Sequence, residues 1–205
     1  MQSNDALVEH LISSGALKTS ALINAFRAID RAHFVRPMNA HEAYGDYPLP
    51  IGGGGTISQP STVAFMLELL APARGDTILD VGSGSGWTTA LLAEIVGPKG
   101  RVIGVEIVPE LVQFGQENLA KYNVANAEIV AARDGVLGLP NRGPFDKILV
   151  SAAAEELHEE LVEQLKSGGR MVIPVGNSVW KIEKRADGTI DREEFSGFVF
   201  VPLVT

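Results

Sequence analysis

The stretch TILDVGSGSGWTTALLAEIVGPKGRVIGVE, residues 77–106, limits the folds open to this chain more than any other. Ile78, Leu79 and Val81 make a short apolar run suited to a buried strand. Gly82, Gly84 and Gly86 break it. Leu91, Leu92, Ile95 and Val96 then recur at helical spacing, Gly97-Pro98 stops the helix, and Val102–Val105 forms a second apolar run closed by the acid Glu106. Strand, glycine turn, helix and strand in this order predict a βαβ unit whose turn brings backbone close to a ligand.

The glycine spacing narrows the ligand. A dinucleotide fingerprint has its third glycine three positions after the second, easing helix packing; Trp87 stands there instead. No GK[ST] follows, which argues against a P-loop. Asp80, just before the first glycine, would repel a pyrophosphate but suits an ammonium or sulfonium charge. Glu106 lies at a strand's carboxyl end, 20 residues past Gly86, where a carboxylate can accept both ribose hydroxyls. The pattern D-x-G-x-G-x-G with this later acid resembles the S-adenosyl-L-methionine site of Rossmann-like methyltransferases. The plain alternative is a glycine turn that only packs a helix on a sheet.

Composition excludes several chemistries. Without cysteine there is no disulfide, thiolate metal site or cysteine nucleophile. A net charge of −8 with no long basic run argues against capture of DNA or RNA. No apolar run approaches the ~18 residues that span a bilayer. The N-terminal segment lacks the pattern of a signal peptide, so the expected compartment is the cytosol. His10, His33 and His41 are scattered, with no partners at metal-ligand spacing.

Residues 5–17 (Leu7, Leu11, Ile12) and 20–30 (Leu22, Ile23, Phe26, Ile29) carry helical spacing, with Thr19 or Ser20 as a cap for the second. Residues 42–60, EAYGDYPLPIGGGGTISQP, have four consecutive glycines ahead of Thr56, Ile57 and Ser58. A helix follows, with Val63, Met66, Leu67 and Leu70 inward and Pro60 in its first turn. Ser58 beside that helix start suits an anion site, and equally an N-cap closing a flexible linker. Residues 109–122 predict a helix with Leu111, Phe114 and Leu119 inward, and 127–132 a third strand ending at Arg133-Asp134-Gly135. A fourth strand, 145–151, leads into Ala152, Ala153 and Ala154, whose small side chains leave room for a peptide backbone to approach. Leu157, Leu161 and Leu165 suggest a helix stopped by Gly168-Gly169, with Arg170–Val175 a further buried strand. Alternation at 178–184 and 195–203 around Asp187-Gly188 predicts a C-terminal antiparallel hairpin.

IGGGGTISQP (51–60), ILDVGSGSGWTTALLA (78–93), VIGVEIVPEL (102–111), GLPNRGPFDKILVSAAAEEL (138–157) and LKSGGRMVIPVG (165–176) resemble, in order, the signatures of the protein-L-isoaspartate O-methyltransferase family. The glycine turn alone says methyltransferase; TISQP narrows it. Residues 1–41 match more loosely. The resemblance implies an α/β, Rossmann-like methyltransferase fold: a mostly parallel central sheet with N-terminal helices and a C-terminal antiparallel hairpin. It implies one domain over 1–205, made of an N-terminal helical extension (1–41), a substrate loop (42–60), a core (61–176) and the hairpin (177–205).

The resemblance also implies site roles. Ser58 is the active-site residue, and with Thr56 and Ile57 it positions the substrate carboxylate. Gly82, Ser83 and Gly84, with Asp80 nearby, meet the aminoacyl part of S-adenosyl-L-methionine. Glu106 takes the ribose, Ile107 packs on adenine, and Asp134 with Gly135 holds the adenine amine. The implied reaction is transfer of a methyl group to the free α-carboxylate of L-isoaspartyl residues in damaged proteins or peptides, initiating repair. That carboxylate, with a pKa near ~4, is already ionised at neutral pH and needs no general base, so catalysis would be mainly positional. The implied partners are isoaspartyl proteins and peptides, with no nucleic acid and no membrane, and the implied working unit is a monomer. Gly55 departs from the family's usual glutamine, and His158 and Ser167 stand where proline is common. Two rivals remain at this level: another methyltransferase of the same fold, acting on a tRNA base or a small molecule, and a non-turning-over adaptor that binds damaged carboxyl sites.

Overall fold

The structure is a computed structural model and describes residues 1–122 and 124–204. In chain order the elements are helices α1 (Asn4–Ser13) and α2 (Ser20–Ala28), two short 3-10 turns over Arg31–Phe34 and Pro37–Glu42, strands β1 (Leu49–Gly52) and β2 (Gly55–Ile57), helix α3 (Pro60–Leu70), strand β3 (Thr77–Val81), helix α4 (Trp87–Val96), strand β4 (Arg101–Glu106), helix α5 (Pro109–Ala120), strands β5 (Ala127–Ala131) and β6 (Phe145–Val150), helix α6 (Glu159–Glu163), and strands β7 (Leu165–Val175), β8 (Ser178–Lys184) and β9 (Ile190–Ser196).

The main sheet has the order β5-β4-β3-β6-β7-β8-β9. Its first five members run parallel, and β8 and β9 are antiparallel. Alternate residues of the central strands face opposite layers, as the pleat requires. Ile78, Val102, Leu149 and Val172 join a core shared with α1 to α5, whereas Leu79, Val81, Ile103, Ile148 and Ile173 join a second core closed by the short α6. Burial on both faces is why the central runs are continuously apolar. From β3 the chain turns to β4 on one side, while β6 occupies the other. This is the topological switch point, where open α/β sheets bind ligands beyond the strands' carboxyl ends.

Several boundaries differ from those the residue pattern suggests. Helix α1 stops at Ser13, because Gly15 turns left-handed (φ 75°) and the chain folds back so that Leu17 N–H donates to the Leu11 carbonyl. The glycine-rich 42–60 segment contains a small antiparallel hairpin, with Leu49 opposite Ile57 and Gly52 opposite Gly55. Leu165 belongs to no helix: it pairs with Phe145 as the first residue of β7, and Gly168-Gly169 lie inside that strand where the register shifts. The last strand is 190–196, not 195–203; Lys184 pairs with Ile190 across a tight turn.

The following segment runs back toward the site. Ala153 N–H donates to the Val201 carbonyl at 2.8 Å, and Leu203 N–H donates to the Ala153 carbonyl at 2.7 Å. The space beside the three alanines is thus filled by backbone, as their size allows, but by the chain's own. Phe198 anchors this return by stacking on Phe65 of α3 at 5.1 Å.

Candidate functional site

Four strand ends and a hairpin enclose one cleft of about 270 Å³. Val81 and Gly82 continue β3, Glu106 and Ile107 continue β4, Ala132 follows β5, and Ser151 and Ala152 follow β6. Ile51 and Gly53–Thr56 of the hairpin form one wall, and Val201–Val204 another. A smaller recess of about 30 Å³ opens beside it, lined by Thr56, Ile57, Ser58, Ser85, Thr88 and Ser151 among others. Thr56, Gly82, Gly84 and Ser151 border both spaces, so they adjoin at the glycine turn.

The turn is built for backbone access. Gly84 has φ 52°, and a Cβ there would stand 3.1 Å from the Ile51 side chain, so a larger residue would be strained and would crowd the cleft. Behind the turn, a Cβ on Gly115 of α5 would stand 3.0 Å from the Gly84 carbonyl. The helix therefore presses directly on the turn, and its glycine is a site-supporting residue that helical periodicity hides.

Glu106 is the organising acid of the cleft. One carboxylate oxygen accepts from Gly84 N–H and the other from Val108 N–H, each at 2.9 Å. Each oxygen keeps a second lone pair, so two further donors such as a vicinal diol can be accepted. Asp80 behaves differently. It is fully buried and does not line the cleft; one oxygen accepts from the Thr88 and Thr89 hydroxyls at 2.7 Å, and the other has no hydrogen-bond partner. Burial pushes its carboxyl up to about 6, against the pull of the Thr89 and Thr88 hydroxyls and with help from the Glu106 charge. A cation brought to the turn would offset that cost.

The other expected site residues fall as follows. Gly82, Gly84 and Ile107 line the main cleft, and Ser83 the recess. Ser83 is buried, with its hydroxyl unpartnered. Thr56 lines both spaces; Ile57 and Ser58 line the recess. Ser58 is not the N-cap of α3: Gln59 holds that position and makes no side-chain bond. Asp134 and Gly135 are exposed on a tight turn between Arg133 and Val136, and the cleft is bordered by those two neighbours instead. Ile51 and Leu137 had no sequence signal beyond apolar character, whereas the family resemblance implies that a C-terminal FVPL arm borders the cleft, and Val201, Pro202 and Leu203 do line it.

The donor set fits an adenosine carrying a cationic amino-acid tail: a carboxylate with free lone pairs, a glycine cradle, apolar walls and an unneutralised acid behind the turn. A family model for protein-L-isoaspartate(D-aspartate) O-methyltransferase (PCMT) matches residues 2–205. The match takes in the N-terminal residues whose signatures are weak. A protein-L-isoaspartate O-methyltransferase of Methanopyrus kandleri is 45% identical over 207 residues, covering 99% of this chain and 92% of that one. One of Triticum aestivum is 42% identical over 215 residues, covering 100% and 93%. Among solved structures, a Plasmodium falciparum chain described as a beta-aspartate methyltransferase (PCMT), in complex with S-adenosyl-L-homocysteine, superposes with a TM-score of 0.87 at 28% identity, covering 99% of each chain.

Proposed function

The chain belongs to the protein-L-isoaspartate (D-aspartate) O-methyltransferase family, and from that premise we infer that it methylates the free α-carboxylate of L-isoaspartyl residues in damaged proteins and peptides, using S-adenosyl-L-methionine. The observation that carries this reading is the adjoining of two spaces at one glycine turn. The larger suits the cofactor, and the smaller is lined by hydroxyls, including that of Ser58.

When bound, S-adenosyl-L-methionine supplies a methyl group activated by its cationic sulfur. Glu106 would hold the ribose, Gly82 to Gly84 the amino-acid end with Asp80 behind them, and Ile107 the adenine face. Asp134 and Gly135 would reach the adenine amine only by a movement of their exposed turn. Ser58, with Thr56 and Ile57, would hold the acceptor carboxylate in the recess. That acceptor is ionised at neutral pH, so no residue has to remove a proton. What the chain must supply is alignment and exclusion of water. The 42–60 segment is then the substrate element and residues 61–176 the core.

We take the working unit to be a monomer acting in the cytosol without nucleic acid, in keeping with a net charge of −8. No helix among the described residues is long and apolar enough to cross a membrane.

The test is incubation with methyl-labelled S-adenosyl-L-methionine and two peptides that differ only in isoaspartate against aspartate. Base-labile label on the isoaspartyl peptide alone is expected. Label on both peptides, or on neither, would overturn the reading.

A further inference from the structure

Arg31 heads the largest fully buried side chains, at 0% exposure. No carboxylate lies within salt-bridge distance of it among the described residues. It meets carbonyls instead. One terminal nitrogen donates to the Ala43 and Gly45 carbonyls at 2.7 and 3.2 Å, and the other to the Tyr47 and Ser58 carbonyls at 3.0 and 3.2 Å. Its carbon lies 5.5 Å from the ring centroid of Trp87, the residue that opens α4 after the glycine turn.

A buried cation with no direct ion pair is costly, even with the charge of Asp46 nearby to favour it, and an apolar side chain could fill the same volume at less cost. What an apolar side chain cannot do is gather four carbonyls. Residues 43–48 form no helix or strand, so their carbonyls depend on such a donor. Tyr47 and Ser58 flank the β1–β2 hairpin on its two sides. The guanidinium therefore ties the shoulders of the hairpin to each other and sets both against Trp87, which lines the recess with Ser58. Asp46 completes the clamp by accepting from Ser61 N–H at the start of α3, at 2.9 Å.

We propose that Arg31 is the positioning residue of the acceptor half, setting the place of Ser58 by holding the backbone on both sides of the substrate hairpin. The proposal rests on the functional reading above for what Ser58 does, and on geometry alone for where Arg31 holds it. A lysine keeps the charge but is a point donor, not a planar fork, and cannot span the same carbonyls.

The experiment compares Arg31→Lys, Ser58→Ala and the double variant with the wild-type chain. Arg31→Lys is expected to lower kcat/KM for the isoaspartyl peptide about 30-fold while S-adenosyl-L-homocysteine affinity stays within about twofold. In the Ser58→Ala background the further loss should be under about threefold, because Arg31 acts through Ser58. Amide hydrogen exchange should quicken in residues 43–58 and not in 77–106. Should the lysine variant not fold, Arg31→Gln, which removes the buried charge along with the fork, carries the same readouts. Wild-type kcat/KM in the variant, losses that simply multiply, or a parallel loss of cofactor affinity and of protection at 77–106 would each overturn the proposal. If the wild-type chain transfers no methyl group to isoaspartate, the functional reading fails, and the exchange contrast still decides the role of Arg31.

Discussion

The two halves proposed for the site, one for cofactor and one for acceptor, are held in place by opposite means. The cofactor half, residues 77–106, is local: strand, turn, helix and strand are contiguous, and Glu106 closes back on Gly84 within the same unit. The acceptor half, residues 43–60, is held from outside itself. Arg31 grips its flanks, and Arg36 donates to the Ile51 carbonyl at 2.6 Å while pairing with Glu110 of α5. A buried ionisable group serves each half: Asp80 lies within the first, and Arg31 holds the second from outside. The carboxyl of Asp80 is pushed by burial up to about 6, whereas burial lowers the Arg31 guanidinium only to about 10. The first can change charge near neutrality, and the second stays cationic. A site can thus have one half that a motif describes and another that depends on residues far off in sequence.

The sharpest way to break this contrast is at Glu106. Glu106→Ala leaves two half-buried N–H donors, of Gly84 and Val108, without their acceptor at the cleft wall. S-adenosyl-L-homocysteine affinity by calorimetry should fall about 100-fold, equivalent to about 2.7 kcal/mol. Unchanged affinity would remove Glu106 from the cofactor half.

Next in size is Gly86, which has φ 84° and where a Cβ would stand 3.1 Å from the Gly115 carbonyl and 3.0 Å from Ile129. Gly86→Ala should cost about 2 kcal/mol in chemical denaturation, through backbone strain and crowding against α5. It should weaken cofactor binding more than it changes the KM for peptide. A rise in peptide KM with intact cofactor affinity would mean that the halves are not separate at the turn.

The smallest effect is expected at Asp80. Its carboxyl titrates higher folded than unfolded, so the folded state binds the extra proton, and the stability contributed by Asp80 falls as pH rises from about 4 to about 6. Asp80→Asn should flatten that window and add a net ~1 kcal/mol above pH 6, part of the relief being offset by weaker bonds from Thr88 and Thr89. A variant that keeps the wild-type slope would show that Asp80 carries no such cost.

The same contrast explains what could be read from the residues. The 77–106 unit was legible because its strands, turn and helix each carry their own periodicity. The β1–β2 hairpin was not, since four glycines resemble a linker and strands of three or four residues are too short to show alternation. Leu165 sits at helical spacing from Leu161, yet it pairs with Phe145, and tertiary pairing overrides local spacing. Strand β9 escaped notice because Ile190–Ser196 is an edge strand, exposed along most of its length, with no apolar face to alternate. Arg31 had no signal at all: an arginine just after an apolar helix reads as surface until the carbonyls it gathers are seen. Resemblance supplied Ser58, but nothing in the chain's pattern pointed to what holds it.

The most direct test is steady-state methylation by Ser58→Ala, with the cofactor dissociation constant measured on the same preparation. The two-half account predicts a kcat/KM for the isoaspartyl peptide lowered by about 100-fold and S-adenosyl-L-homocysteine affinity within about twofold of wild type. Wild-type turnover, or equal losses in transfer and in cofactor affinity, would contradict it.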